Sequence, residues 1–183
     1  MNTAIYDYQV SRQNNPGKFD ICHRRFSFEV PHINTNSTIT YLADFRCLAT
    51  NRHLFYCDYY PAIWKNHHDK LNKLLCNETD IRVNFKKITL TCFYIFHEQL
   101  VANDSQAVFV ISGSLIKGET LLPETGISRK LKLYWEILSP HALKLKYRLV
   151  KILDFNAIAY LQETNPMADE VIQKAYANFK TKA

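Results

Sequence analysis

Two periods of apolar and polar residues alternate along the chain, and the changes of period mark its elements. Over residues 19–30 the string Arg25-Phe26-Ser27-Phe28-Glu29-Val30 puts every second side chain on one face, as in a strand. Past Pro31, Leu42, Phe45, Leu48 and Ala49 recur at intervals of three and four behind Ser37 or Thr38. This predicts a capped amphipathic helix over 39–51. The aromatic run 54–60 reads as a short extended link, because Pro61 disfavours helix in the residue before it. Pro61 suits the first turn of a second helix over 61–75, striped by Ile63, Trp64, His67, Leu71, Leu74 and Leu75.

From Ile81 the pattern predicts long strands. Ile88, Leu90, Cys92, Tyr94 and Phe96 alternate with Thr-rich neighbours, and Asn103-Asp104 turns the chain into a strand over 107–117. Leu131, Leu133, Trp135 and Ile137 then oppose Lys130, Lys132, Tyr134 and Glu136. After Ser139-Pro140-His141, Leu143, Leu145, Tyr147 and Leu149 repeat the alternation, which predicts an antiparallel hairpin. Asn165-Pro166 opens a last helix with Val171, Ile172, Ala175 and Phe179 on its apolar stripe. The expected organisation is a polar arm over 1–18, one α+β domain over 19–160 and a C-terminal helix over 161–183.

Composition agrees with a single packed domain: 183 residues, 47% hydrophobic and 13% aromatic, suffice for one core and exclude wholesale disorder. A formal charge of +6 favours an anionic partner. The lysines alternate with apolar residues as on the wet face of a sheet, however, and no helix-turn-helix, zinc-finger or Gly-aromatic motif accompanies them. A nucleic-acid partner is therefore not expected. The five cysteines are odd in number and lack Cys-x-x-Cys spacing, so reduced thiols are expected rather than a zinc ribbon or disulfide framework. His67 and His68 are adjacent and would point about 100° apart on a helix, so they could not chelate one ion together. No Gly-rich phosphate loop, nucleophile elbow or metalloprotease motif is present, and neither cofactor nor metal is expected. With no basic-then-apolar leader and no long apolar run, the reading is a soluble, cytoplasmic chain without a membrane span.

The helix over 61–75, the strands from Ile81 and over 107–117, and the Trp-bearing hairpin 131–137 with 143–155 together resemble the nuclear transport factor 2-like superfamily. Its members include ketosteroid isomerases, polyketide cyclases and scytalone dehydratase as well as non-catalytic proteins. The resemblance implies N-terminal helices packed in a curved, mostly antiparallel, cone-like sheet. A hotdog fold of the acyl-thioester enzymes, one strand then a long helix then further strands, fits the same order as an alternative.

By position, the resemblance makes Asp58 the general base and Tyr41 the donor to a developing oxyanion, with Asp154 where cyclase-like members carry an acid. His97, in an otherwise apolar stretch, is a further candidate proton carrier. A pocket for an apolar or aromatic small molecule would be lined by Phe45, Phe55, Tyr56, Tyr59, Trp64, Phe96, Trp135 and Tyr147. An enzyme built this way would be an isomerase, cyclase or dehydratase working by carboxylate or histidine proton transfer. A homodimer is expected, and the competing reading is a non-catalytic module for homodimerisation or protein docking. The first requires an open interior on which Asp58, His97 or Asp154 converges, and the second a filled one.

Overall fold

A computed structural model describes residues 5–11, 20–64, 83–113 and 120–181. Strands β1 (Tyr8–Ser11), β2 (Asp20–Pro31), β3 (Thr38–Leu48) and β4 (Asn51–Pro61) form an antiparallel meander. Strands β5 (Val108–Ser112), β6 (Tyr147–Ile152) and β7 (Ala157–Gln162) complete a seven-stranded sheet of order β1-β2-β3-β4-β5-β7-β6. The sheet is mixed because β4 and β5 run parallel, joined by a crossover that contains α1 (Phe85–Ile95), which a π-helical stretch prolongs through Val101. Helix α2 (Arg129–Lys144) precedes β6, and α3 (Asp169–Lys180) follows β7. The fold is α+β.

One sheet face carries Phe26, Phe28, Tyr41, Phe45, Phe55, Phe109 and Tyr160, which form a single core with Phe93, Phe96, Leu131 and Tyr134 of α1 and α2. On the opposite face, α3 sets Ile172, Ala175 and Tyr176 against Leu54, Val108, Val110, Ala159 and Leu161. The β5–β7 half of the sheet is thus buried on both sides, as its near-continuous apolar sequence requires.

The expected strand over 19–30 and the C-terminal helix are present as β2 and α3. The order of helices and strands is not as expected. Four strands precede the first α-helix among the described residues, so neither the N-terminal helices nor the hotdog order of one strand before a long helix is found. The segment read as a helix over 39–51 is β3 and its turn. Tyr41, Ala43, Phe45 and Cys47 face one core while Leu42 and Leu48 are buried on the other side, and burial on both sides imitates helical spacing. The segment read as a strand through Phe96 is α1. Its residues Ile88 through Phe93 are all buried, and the buried Thr89 and Thr91 alternate with Ile88, Leu90 and Cys92, which imitates a two-residue period. The expected hairpin is helix α2 followed by β6. The helical stripe Leu131, Tyr134, Ile137, Leu138 and Ala142 is the buried one, and Leu133 of the alternating set is exposed. Pro61 ends β4 and leads into a 3-10 turn (Ala62–Trp64); most of the expected second helix, with His67 and His68, lies outside the described residues. No helix among the described residues is long and apolar enough to cross a membrane.

Candidate functional site

A group of charged and polar side chains lies on the sheet face that α3 covers, toward β2, β3 and β4. In these strands, His23 and Arg25, then Asp44 and Arg46, then Tyr56, Asp58 and Tyr60 project to the same side. The pleat dictates this, since Arg25 pairs with Asp44 and Asp44 with Asp58 in direct register. Asp44 is fully buried and accepts from Arg25 Nε at 2.6 Å, Arg25 Nη2 at 2.7 Å and Tyr60 Oη at 2.5 Å. His23 Nε2 stands 3.0 Å from the same carboxylate. Burial alone would raise the Asp44 pKa, but the hydrogen bonds from Arg25, Tyr60 and His23 outweigh it and hold the carboxyl below its ordinary value. A carboxylate whose lone pairs are already filled by donors cannot serve as a base. Asp44 instead clamps β2, β3 and β4 together through a bidentate ion pair.

Asp58 behaves in the opposite way. Burial raises its pKa, and the nearby charges of Arg46 and Lys180 and a hydrogen bond with Tyr56 only partly offset this. Lys180, in the last turn of α3, stands 5.6 Å above the Tyr56 ring, so Asp58 lies at the seam between α3 and the polar part of the sheet.

The other expected site residues are scattered. Tyr41 is in β3 on the opposite face of the sheet from Asp58, fully buried against Phe28, so base and oxyanion donor do not meet. His97 lies on the π-helical stretch after α1, where its Nδ1 is 2.8 Å from Tyr147 Oη. Asp154 is in an exposed 3-10 turn after β6, on an open cleft of about 700 Å³ that Lys151, Glu170 and Lys174 also line.

The expected pocket lining is packed. Phe96 and Phe109 have ring centroids 5.2 Å apart, Phe93 and Tyr147 5.3 Å, and Phe93 and Phe109 5.8 Å, while Phe45 and Phe55 join the same stack. Tyr59 donates to Tyr134 Oη at 2.9 Å, and Trp64 is buried in its 3-10 turn. Tyr56 faces α3 instead, against Phe179. Trp135 is on the outer layer with the Lys151 ammonium 4.4 Å above its ring.

Two features went unread in the sequence. Asp44 is the one charge within the run 41–45, and a charge in an apolar strand must be paired; the cation at strand spacing is Arg46, whereas the partner Arg25 comes from β2 through a cross-strand register that local spacing does not encode. The second is a part-buried dyad in which His53 Nδ1 stands 2.7 Å from Asp104 Oδ2, tying the start of β4 to the loop after the π-helical stretch. Nothing in the local sequence of either residue announces the other. Among the described residues, no group of three His, Cys, Asp or Glu side chains could hold a metal ion.

The chain matches no protein family, no curated protein and no solved structure.

Proposed function

We propose that this chain is a non-catalytic interaction module that docks an acidic protein segment on the outer face of α1 and α2. The observation that carries this reading is the filled interior. Phe45, Phe55, Phe93, Phe96 and Phe109 occupy the volume that a small-molecule pocket inside a cone-like sheet would need. Asp58 and Tyr41 lie on opposite faces of the sheet, and His97 and Asp154 lie outside its strands, an arrangement that favours a docking role over proton transfer.

The outer face has the chemistry of a docking surface. Helix α1 (Phe85–Ile95) carries Lys86 and Lys87 and no acid, and α2 carries Arg129, Lys130, Lys132 and Lys144 against Glu136 alone. His141 Nδ1 lies 3.2 Å from Tyr94 Oη between the two helices, and burial with the charges of Lys86 and Lys144 lowers its pKa. Leu133 is 43% and Leu143 74% exposed on the same helix, so apolar anchors sit among the cations. Such a mixture suits an acidic amphipathic segment better than a phosphate backbone, and its positive charge disfavours pairing with a second copy of itself.

Fluorescence anisotropy of a labelled helical peptide carrying Glu and Leu at alternating turns tests the reading. Binding is expected to weaken with added salt and to fall roughly tenfold in the Lys86→Glu/Lys144→Glu variant. Equal binding by wild type and variant would contradict it, as would tighter binding of single-stranded RNA or a homodimer that occludes α2.

A further inference from the structure

We propose that Cys22 and Cys47 form an oxidant-responsive disulfide site, with Cys22 as the thiol attacked first and Cys47 as the resolving thiol. This inference is independent of the docking reading. In the β2–β3 ladder the two residues are direct register partners, so their side chains project to the same face, and both pack against the core that α1 and α2 cover. Directly opposed residues in an antiparallel pair have Cα atoms about 4.5–5.5 Å apart, which is inside the roughly 4.4–6.8 Å that a disulfide spans.

The backbone at this end of the sheet is also irregular. The ladder shifts register between Asp20 and Cys22 on β2, and again between Cys47 and Leu48 where β3 meets β4, so both cysteines border a departure from regular pairing. Accessibility divides the labour. Cys22 is partly exposed, whereas Cys47 is 2% exposed with its thiol directed at the Arg52 carbonyl, 2.7 Å away. Both are thiols in the structure. A second pair of neighbouring thiols, Cys57 and Cys92, is buried between β4 and α1 and lacks such an approach.

With a low-molecular-weight disulfide as oxidant, the Cys22 thiolate attacks one sulfur and releases one equivalent of thiolate, leaving a mixed disulfide. Cys47 gives up its proton and attacks the Cys22 sulfur, forming the S–S bond and releasing the second equivalent. The two protein thiols are oxidised, and the small disulfide is reduced to two thiols.

The test treats the reduced full chain with oxidised glutathione, blocks residual thiols with N-ethylmaleimide and digests with trypsin without reductant. Cleavage at Arg24, Arg46 and Arg52 places the two cysteines in different peptides. The expected product is one cross-linked pair joining Cys22 to Cys47, two hydrogens lighter than the reduced peptides and reversed by dithiothreitol. In Cys47→Ser the glutathione adduct should persist on Cys22; in Cys22→Ser, Cys47 should stay unmodified over the same time. In urea the preference for this pair should disappear. A lasting glutathione adduct on wild-type Cys22 without a cross-link would overturn the proposal. So would an inert Cys22, or a first cross-link joining any other pair, Cys57–Cys92 included.

Discussion

Two aspartates face each other across β3 and β4, and their environments separate their behaviour. Asp44 is surrounded by donors, and removing its carboxylate takes the counter-charge from Arg25 in a site only 8% exposed, although Arg25 Nη2 still donates to Tyr60 Oη. Asp44→Ala is expected to lower the unfolding free energy by about 3–5 kcal/mol in urea titrations, the range for breaking one side of a buried ion pair. Because its folded pKa lies below the unfolded value of about 3.9, this stabilisation is complete above that value and is lost as pH falls through the lower folded pKa. Asp58 has the reverse sign. Its pKa is raised in the folded state, so its contribution is complete below the unfolded value and declines as pH rises through the folded one. Asp58→Asn is therefore expected to raise the melting temperature at neutral pH and to flatten the fall in stability above pH 4. A lower melting temperature would show instead that the ionised carboxylate is needed.

At the scale of elements, the start of α2 depends on a close backbone approach. Ser128 caps the helix by accepting from Leu131 N at 3.1 Å, and its own N–H donates to Asn156 Oδ1 at 2.8 Å. Asn156 in turn donates through Nδ2 to the Gly113 carbonyl, which joins β5, the β6–β7 turn and α2. A Cβ on Gly113 would collide with Ser128 Oγ and lie 2.8 Å from Leu131 Cβ. Gly113→Ala should destabilise the fold by about 2 kcal/mol or more through overpacking and a displaced cap, and Ser128→Ala by about 1 kcal/mol. Equilibrium unfolding measures both, and a neutral Gly113→Ala would show that α2 docks loosely enough against β5 to admit a methyl group.

The same elements show what the sequence could disclose. Strand β2 and helix α3 are legible because each has one polar face, so the polar residues report the period. Helix α1 and strand β3 were misread because burial on several sides removes the polar residues that would mark it. Helix α2 carries both periods at once, and Ser128 as its cap was the local signal that separates them. Of the candidate site, Asp58 stands out only by its position in the resemblance, as a general base. Its true neighbours come from β3 and α3, and no local spacing encodes them.

For the whole molecule, the described residues combine a packed aromatic interior with a basic outer helical layer. The sheet buries one face under α1 and α2 and part of the other under α3, leaving Lys86, Leu133, Leu143 and Lys144 outermost on the larger helical side. Removing a ring from the interior should then be costly: Phe93→Ala is expected to lose about 3–5 kcal/mol in denaturant titrations, whereas a ring lining an open pocket would cost far less. The most direct test of the account is an amide chemical-shift map of the labelled protein titrated with the acidic Glu/Leu peptide. The account predicts perturbations gathered at Lys86, Leu133, His141, Leu143 and Lys144, with β2–β4 unmoved. Perturbations centred on Asp44, Asp58 and Tyr60, or on the rings around Phe93 and Phe109, would contradict it.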